Sequence, residues 1–365
     1  MAPVSPESAL LSWYNRHRRE LPWRTTRDPY RIWLSEVLLQ QTRVEVVVPY
    51  YLRILARFPT VNELAAAPVE ELLALWSGLG YYRRARQLHA AALGIAAAGG
   101  RFPDTAEGWR RLPGVGAYTA SAVASIAFGE AVAALDGNVE RVLARYLAFG
   151  DDPRSAEGKR RLVACGETLL DHERPGDSNQ ALMELGATVC SPHRPKCLIC
   201  PLAEGCAARR SGSPEAFPKP RPRRAVERRR LLAAVVEREA AVLLFRRPEE
   251  SAVLGGTWEL PWVPTDETNG GPAEEAFARR YGGAWTLGPR LGAVRHGITF
   301  RDLTVEVCAA SVEWGGEVQV GAAAGWFGAR ERAGLFLSSL VEKILAQRSK
   351  PIPGAPARRS RSRRR

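Results

Sequence analysis

The sequence predicts a two-domain protein in which an all-α domain precedes an α+β domain. Its 365 residues exceed the roughly 250 to 300 at which a single hydrophobic core usually stops growing. From residue 8 to about residue 208, apolar residues recur every three to four positions and Ala is abundant, which is typical of helices. From residue 231 onward, short apolar runs alternate with Gly and Pro turns, which is typical of strands.

Composition divides the chain into four segments. We assign residues 1–216 to the helical domain and 217–230 to a basic Pro/Arg linker. Residues 231–347 form the α+β domain, and residues 348–365 a basic tail that we expect to be disordered. Within the second domain, the runs LLAAVV, AVLLF and LTVEVCAA predict strands, and helices are predicted near residues 274–281 and 338–347.

The net charge of +13 lies in the linker and the tail. Residues 217–230 carry +6 and residues 348–365 carry +8, so the remainder of the chain sums to −1. Such basic segments favour anionic partners, and their contacts with nucleic acid are salt-dependent and independent of base sequence. We therefore expect specific recognition to come from local groups in the two domains.

The sequence carries no feature of a membrane or secreted protein. No apolar run approaches the roughly 18 residues of a spanning helix, and the start MAPVSPESALL lacks the pattern of a signal peptide. The cysteines crowd together in a way that suits metal ligation better than a disulfide framework. We expect a cytoplasmic, bacterial-type protein that works as a monomer and has no membrane partner.

Four of the six cysteines lie within 17 residues, separated by six, two and five residues: Cys190, Cys197, Cys200 and Cys206. Four thiolates from one compact loop can hold a cluster or a metal ion. The spacing differs from the paired two-residue knuckles of zinc ribbons and therefore favours a [4Fe-4S] cluster, with zinc as the alternative. Cys165 and Cys308 stand alone and are predicted to be small core residues.

Two segments contain groups suited to contact with phosphates. The turn LPGVG contributes Leu112, Gly114, Val115 and Gly116 and is followed by a small-residue helical run. A Pro-Gly-x-Gly turn between two helices, the helix-hairpin-helix pattern, exposes backbone N–H groups that can hold a phosphate. The first cysteine loop contributes Arg194 and Lys196, which either meet phosphates or belong to a solvated loop.

Two carboxylates are candidates for acid and cation-stabilising roles. Glu36 lies in the apolar stretch WLSEVLLQQT, where burial would raise its pKa and keep it protonated near neutral pH; the alternative is an exposed helix face. Asp136, in LDGNVERVLAR, has the position of a helix N-cap, alone or together with a functional role. Such a pair suits the cleavage of a glycosidic bond.

These segments, in this order, resemble the MutY family of adenine DNA glycosylases within the endonuclease III superfamily. The resemblance covers most of residues 8–210. It rests on the four cysteines and on the motifs LPWR, WLSEVLLQQTRV, WSGLGYYRRAR, LPGVGAYTA, LDGNVERVLAR and NQALMELGATVC.

The resemblance implies an enzyme of base excision repair that flips adenine out of duplex DNA and hydrolyses its N-glycosidic bond. Its partner would be double-stranded DNA in which adenine is mispaired with 8-oxoguanine or guanine. Glu36 matches the acid that protonates N7, Asp136 the carboxylate that stabilises the oxocarbenium-like sugar, and Asn138 a supporting residue. The adenine pocket maps onto Trp23, Arg24 and Glu184. Gln41 and Tyr81 match residues that wedge into the duplex.

Position 118 separates two kinds of activity in the superfamily. Bifunctional relatives have a lysine there, which forms a Schiff base with the sugar and leads to strand cleavage. This chain has Tyr118, so the resemblance implies a monofunctional glycosylase that leaves an abasic site, without strong lyase activity.

The second domain resembles the Nudix-like lesion-recognition domain of the same family, through the run GGTWELPW at 255–262. Its segment EEAFARRYGG has arginines where a Nudix hydrolase needs metal-binding carboxylates, which disfavours pyrophosphate hydrolysis. The usual Phe-Ser-His recognition triplet is replaced by Ile298, Thr299 and Phe300. Two alternatives therefore stay open: a glycosylase with altered opposite-base preference, and a non-catalytic Fe–S protein that binds DNA.

Overall fold

The computed structural model describes residues 5–219, 225–248, 251, 255–266, 271–298, 300–314, 324–332 and 334–348. The chain divides into two compact units, one of residues 1–75 and 82–222 and the other of residues 76–81 and 223–365. Within the described ranges, no helix is both long and apolar enough to cross a membrane.

The first unit is all-α, as the sequence predicts. Short 3-10 turns lie at Pro22–Arg24, Cys197–Ile199 and Pro214–Ala216, and a π-helical turn at Ala124–Phe128. The α-helices are α1 (Pro6–His17), α2 (Pro29–Leu39), α3 (Val44–Arg57), α4 (Val61–Ala66), α5 (Val69–Leu75), α6 (Arg83–Ala97), α7 (Ala106–Arg110), α8 (Ala117–Val123), α9 (Gly137–Tyr146), α10 (Ala156–Glu167), α11 (Pro175–Thr188) and α12 (Ala207–Arg210).

Helix α2 is the central buried helix of this unit. Its start is fixed by Asp28, whose carboxylate accepts hydrogen bonds from the backbone N–H groups of Tyr30 and Arg31, and by Pro29 at the first helical position. Every side chain from Tyr30 to Leu38 except Arg31 is buried. A helix that is apolar on nearly all sides belongs in a core, so a carboxylate on α2 is drawn out of water.

Helix α9 begins directly after Asp136, the N-cap residue, whose side chain accepts a hydrogen bond from the first turn of the helix. The Asp136 carboxylate accepts a 2.7 Å hydrogen bond from the N–H of Val139. The apolar face of α9, with Val139, Val142 and Leu143, joins a core cluster that includes residues of α1, α10 and α11. Cys165 belongs to the same cluster, as predicted. The packing fixes α9 and therefore the position of Asp136.

The second unit has a mixed sheet with helices, which confirms the α+β prediction. Its strands run in the order β3-β2-β1-β6-β5, with β4 also paired to β1 and β7 to β2. The β1–β6 pairing is parallel, whereas the other pairings are antiparallel. Cys308 is buried in one of its cores. The strands are β1 (Glu227–Arg238), β2 (Ala241–Arg246), β3 (Trp258–Glu259), β4 (Trp262–Pro264), β5 (Ala284–Ile298), β6 (Arg301–Glu313) and β7 (Ala324–Phe327). The helices are α13 (Ala273–Tyr281), α14 (Ala329–Arg332) and α15 (Ser339–Arg348).

Strand β1 begins inside the stretch predicted as linker. Glu227 pairs in register with Arg301 of β6, and its carboxylate forms ion pairs with Arg229 and Arg301. Residues 228–230 are exposed, so their basic composition is typical of a linker. Their backbone is nevertheless paired with strand β6. Most of the tail predicted at 348–365 lies outside the described residues.

Candidate active site

A cavity of about 1020 Å³ opens in the helical unit. It brings together residues that lie up to about 160 positions apart in the sequence and that were predicted to form an acid, a cation-stabilising group, a base pocket and a DNA contact. The predicted residues in its wall are Trp23, Arg24, Glu36, Gln41, Gly114, Gly116, Tyr118, Asp136, Asn138 and Glu184.

Glu36 is buried at one wall of this cavity, with 5% of its surface exposed. Burial raises the pKa of its carboxyl group to about 7, because the charged form loses its hydration. A hydrogen bond from Tyr118 and the charge of Arg24 lower that pKa, while the nearby charge of Asp136 raises it. At neutral pH a large share of Glu36 is therefore protonated, and the alternative of an exposed helix face is wrong.

Tyr118 contacts Glu36 directly. Its hydroxyl donates a 2.5 Å hydrogen bond to Oε2 of Glu36 and lies 3.7 Å from Sδ of Met183. Burial, followed by the charges of Glu36 and Asp136, raises the pKa of Tyr118 well above its usual value. Tyr118 therefore stays protonated at neutral pH and acts as a hydrogen-bond donor to Glu36.

Asp136 is the predicted helix N-cap, and it also lines the cavity. While Oδ1 accepts from the N–H of Val139, Oδ2 accepts a 2.9 Å hydrogen bond from Nδ2 of Asn138. Burial raises the pKa of Asp136, and these hydrogen bonds oppose the rise. The hydrogen bond from Asn138 fixes the orientation of the Asp136 carboxylate.

Arg141 links this pair to the cysteine segment. Its guanidinium donates to Oδ1 of Asn138 at 3.0 Å, to the carbonyl of Gly186 at 2.8 Å and to the carbonyl of Cys190 at 2.9 Å. Because one planar group makes all three bonds, the orientation of Asn138 is coupled to the backbone at the first cysteine.

Glu184 is held by two arginines at another part of the wall. Arg19 approaches both of its carboxylate oxygens, at 2.7 and 2.9 Å, and Arg24 donates to Oε2 at 2.8 Å. Burial raises the pKa of Glu184, but the hydrogen bonds and charges of both arginines outweigh it and lower the pKa to about 2. Glu184 is therefore an ionised acceptor at any physiological pH.

Trp23 completes the predicted base pocket with an apolar surface. It is buried, and its ring packs edge-on against Tyr51 at a centroid distance of 5.2 Å. A flat aromatic wall, an arginine and an ionised carboxylate form a combination suited to a planar heterocycle with hydrogen-bonding edges.

The predicted phosphate-binding turn connects α7 and α8. Gly114 has φ +74°, and a Cβ at this position would lie 2.5 Å from Cβ of Gln87, so the turn requires glycine. Gly116 is the exposed N-cap of α8. Val115 is buried and Leu112 half-buried, and they anchor the turn to the unit. Gly114 and Gly116 are exposed and line the cavity, so the turn lies where a phosphate could reach the start of α8.

The two predicted wedge residues share an uncommon backbone conformation. Gln41 has φ +58° and Tyr81 has φ +50°, in the left-handed region that non-glycine residues rarely adopt. Both side chains are exposed. Such backbone strain persists only where the surrounding structure fixes it, and four other non-glycine residues among those described share it: Ala148, Arg194, Glu239 and Ala240.

The four predicted ligands of the cluster line one pocket, together with Arg145. The pKa of the Cys200 thiol is raised to about 11, chiefly by burial and in part by the charges of the other three cysteines, while a backbone hydrogen bond at Leu202 opposes the rise. Among the described residues, no three His, Cys, Asp or Glu side chains converge on one metal ion. Four cysteines around one pocket could supply the four thiolate ligands of a cluster, and the buried Arg145 beside them could offset part of the negative charge of those ligands.

The loop that contains the first two cysteines has exposed basic groups. Arg194 and Lys196 are both exposed, and Arg194 has φ +50°. The backbone N–H of Arg194 donates to Glu215 at 2.9 Å, which fixes the loop while leaving the guanidinium at the surface.

The predicted opposite-base residues lie at the hairpin between β5 and β6. Ile298 pairs with Arg301 at the end of the hairpin, and both Ile298 and Phe300 are half-buried. Thr299 lies outside the described residues. Two of the three positions therefore lie on a tight hairpin of the second unit.

Several residues of the site were missed by sequence reasoning. Arg19 and Arg141 each complete a hydrogen-bond network, and Arg145 donates to the carbonyls of Ser191 and Pro192 and contacts Sγ of Cys190 at 3.4 Å. The four-residue spacing of Arg141 and Arg145 in VERVLAR places them on one face of α9, which is a sequence feature that could have identified both.

Comparison with known proteins finds a DNA repair family and two similar DNA glycosylases. Residues 34–165 match the model of the HhH-GPD superfamily base excision DNA repair protein. The chain is 38% identical to a human adenine DNA glycosylase over 84% of this chain and 66% of the human protein. It is 41% identical to the rat adenine DNA glycosylase over 70% of this chain and 59% of the rat protein.

The chain thus spans about three fifths to two thirds of the length of these relatives. Among solved structures, a thermostable thymine-DNA glycosylase matches with a TM-score of 0.52 and 33% identity, over 56% of this chain and 95% of that one. This protein belongs to the HhH-GPD superfamily of base excision DNA repair proteins.

Proposed function

We propose that the protein is a monofunctional adenine DNA glycosylase that acts on adenine mispaired with 8-oxoguanine or guanine in duplex DNA. The observation that carries this proposal is that two carboxyl groups line the same cavity. One is Glu36, which is buried and has a pKa near 7, and the other is Asp136. Adenine-specific relatives at 38 and 41% identity support the choice of base.

The site supplies a proton to the leaving base and stabilises the sugar. Glu36 donates its proton to N7 of the extruded adenine, so that the electron pair of the N-glycosidic bond leaves with a neutral base. The Asp136 carboxylate stabilises the positive charge that develops on the sugar. Water then adds to the anomeric carbon and gives up a proton, which the ionised Glu36 carboxylate takes back. The products are free adenine and an abasic site.

The base pocket supports the selection of a planar purine. Trp23 offers an apolar wall, while Arg24 and Glu184 offer a donor and an ionised acceptor. Because Glu184 is already bonded to two arginines, its oxygens are oriented before the base arrives, which reduces the entropy lost on binding.

Tyr118 supports hydrolysis without strand cleavage. Its hydroxyl is protonated and bonded to Glu36, and it offers no amine for a Schiff base. We expect no covalent adduct with DNA on treatment with borohydride. Efficient trapping of an adduct would contradict the monofunctional assignment.

We propose that Cys190, Cys197, Cys200 and Cys206 hold a [4Fe-4S] cluster. The cluster would tie the segment around α12 to the core and so order the loop of Arg194 and Lys196. Arg145, buried beside Cys190, would offset the negative charge of thiolate ligands. We expect about four irons per chain and a broad visible absorption; bound zinc without iron would contradict the cluster.

The opposite-base preference is tested by single-turnover excision. Four duplexes place adenine opposite 8-oxoguanine, guanine, cytosine or thymine. We expect fast excision opposite 8-oxoguanine and guanine and slow excision opposite the pyrimidines. Equal rates on all four duplexes would replace this proposal with a glycosylase of relaxed preference, consistent with the altered residues Ile298 and Phe300. Binding without excision on any duplex would favour the non-catalytic alternative.

We propose that the protein acts in the cytoplasm as a monomer, in contact with the nucleoid. The charges of +6 and +8 in residues 217–230 and 348–365 support salt-dependent contacts with DNA outside the mispair. Sedimentation in the absence of DNA tests the monomeric state, and a dimer would contradict it.

A further inference from the structure

The buried guanidinium of Arg84 holds the segment that follows α2, the helix that carries Glu36. Arg84, in the first turn of α6, is 8% exposed. Its Nη1 donates to the carbonyls of Val37 and Leu38, each at 3.0 Å, and to the carbonyl of Gln40. Its Nη2 donates to Oγ1 of Thr42 at 3.3 Å.

Two of these acceptors, the carbonyls of Val37 and Leu38, belong to the last turn of α2, whereas Gln40 and Thr42 follow the helix. The last carbonyls of a helix lack intrahelical donors, and α2 ends at Leu39. A cation at this end also stabilises the helix dipole. Arg84 therefore caps the C-terminal turn of α2 and ties Gln40 and Thr42 to that turn.

The segment held by Arg84 includes the strained wedge residue. Gln41 lies between the acceptor residues Gln40 and Thr42 and has φ +58°. A non-glycine residue stays in this conformation only where its neighbours fix it. The side chain of Gln40 adds one further tie, since its Nε2 donates to Oγ1 of Thr119 on α8 at 3.2 Å.

The same helix also supports the phosphate-binding turn. Gln87 lies three residues after Arg84, on the same side of α6, and its side chain packs under Gly114. The start of α6 thus contacts two elements of the DNA-binding surface, the Gln41 segment and the LPGVG turn.

We propose that Arg84 is a positioning residue for base extrusion, which fixes Gln41 in its wedge conformation relative to Glu36. The inference rests on the proposed glycosylase function. Arg84 contacts neither the base nor the sugar in this assignment; it acts through the backbone of residues 37–42.

The test measures extrusion apart from chemistry. In a Glu36→Gln background, a duplex with 2-aminopurine in place of the target adenine, opposite 8-oxoguanine, reports unstacking by its fluorescence. We expect Arg84→Met to lower the extrusion equilibrium about tenfold or more, because several charge-assisted bonds are lost. Arg84→Lys should recover part of the loss, since one ammonium reaches fewer of the acceptors.

Two further variants keep the test independent of folding. Thr42→Val removes a single acceptor and should lower extrusion about two- to threefold. Arg160→Met makes the same change as Arg84→Met at an exposed position of α10, where Arg160 pairs only with Glu157 among the bonds described, and should leave extrusion unchanged. Circular dichroism verifies the folded fraction of each protein.

Normal extrusion by folded Arg84→Met, or by both Arg84→Lys and Thr42→Val where Arg84→Met does not fold, would overturn the proposal. Excision by the protein with Glu36 intact is measured in parallel on the corresponding adenine duplex. If that protein leaves adenine in place, the proposed function fails. If it excises adenine while the Arg84 variants extrude normally, only the role of Arg84 fails.

Discussion

Replacing Glu36 by Gln should stabilise the folded protein while it abolishes excision. Glu36 keeps its proton in the folded state up to a pH of about 7, against 4.5 for its ordinary value. At about 1.36 kcal/mol for each pH unit of pKa difference, this shift corresponds to about 3 kcal/mol. Because the Glu36 side chain is only 5% exposed, solvent screening reduces this free-energy difference little.

The sign of the effect follows from proton binding. Between pH 4.5 and about 7 the folded state binds more protons at Glu36 than the unfolded state does, so stability falls as the pH rises. Gln has no charged form and removes this dependence. We expect Glu36→Gln and the wild type to be nearly equal in free energy of unfolding at pH 4.5, and the variant to be more stable by about 3 kcal/mol at pH 8.

Urea unfolding followed by circular dichroism, at pH values from 4.5 to 8, measures this difference. Glu107→Gln is the matched control, because the Glu107 side chain is 80% exposed; it should show no difference that grows with pH. A Glu36→Gln variant that gains no stability at pH 8, or a gain independent of pH, would refute the assignment of a buried, protonated carboxyl.

Three other changes test separate parts of the site. Tyr118→Phe removes the hydrogen bond that lowers the pKa of Glu36, so the alkaline limit of excision should move to higher pH; a shift to lower pH in the rate profile would contradict this reading. Gly114→Ala places a Cβ against Gln87 at φ +74° and should weaken duplex binding about tenfold, whereas Gly94→Ala, which meets no atom within 4 Å, should bind normally in the same titration. Deleting residues 348–365 should weaken binding at low salt with little change in single-turnover excision at saturating enzyme; a large loss of that rate would give the tail a role in the chemistry.

Local sequence features were enough to predict where the two carboxylates lie. The apolar neighbours of Glu36 predict a buried helix, and the position of Asp136 before VERVLAR predicts an N-cap. Both features depend on residues within one or two helical turns. The cysteine spacing is equally local, and the four side chains do line one pocket.

The contacts that organise the site are long-range and could not be predicted. Arg19 pairs with Glu184 across 165 positions, and Arg84 reaches the carbonyl of Val37 across 47. No periodicity links such residues, because their meeting depends on how the helices pack. The early start of β1 has the same cause, since charged residues 227–230 enter a strand only through pairing with β6.

The most direct test of the account is the pH dependence of adenine release in single turnover. A duplex with adenine opposite 8-oxoguanine is incubated with excess enzyme from pH 5 to pH 9. We predict that the wild-type rate falls as the pH rises through about 7, where Glu36 loses its proton, and that Glu36→Gln releases no adenine at any pH. A rate that rises across this range, or adenine release by Glu36→Gln at the wild-type rate, would contradict the role of Glu36 as the acid.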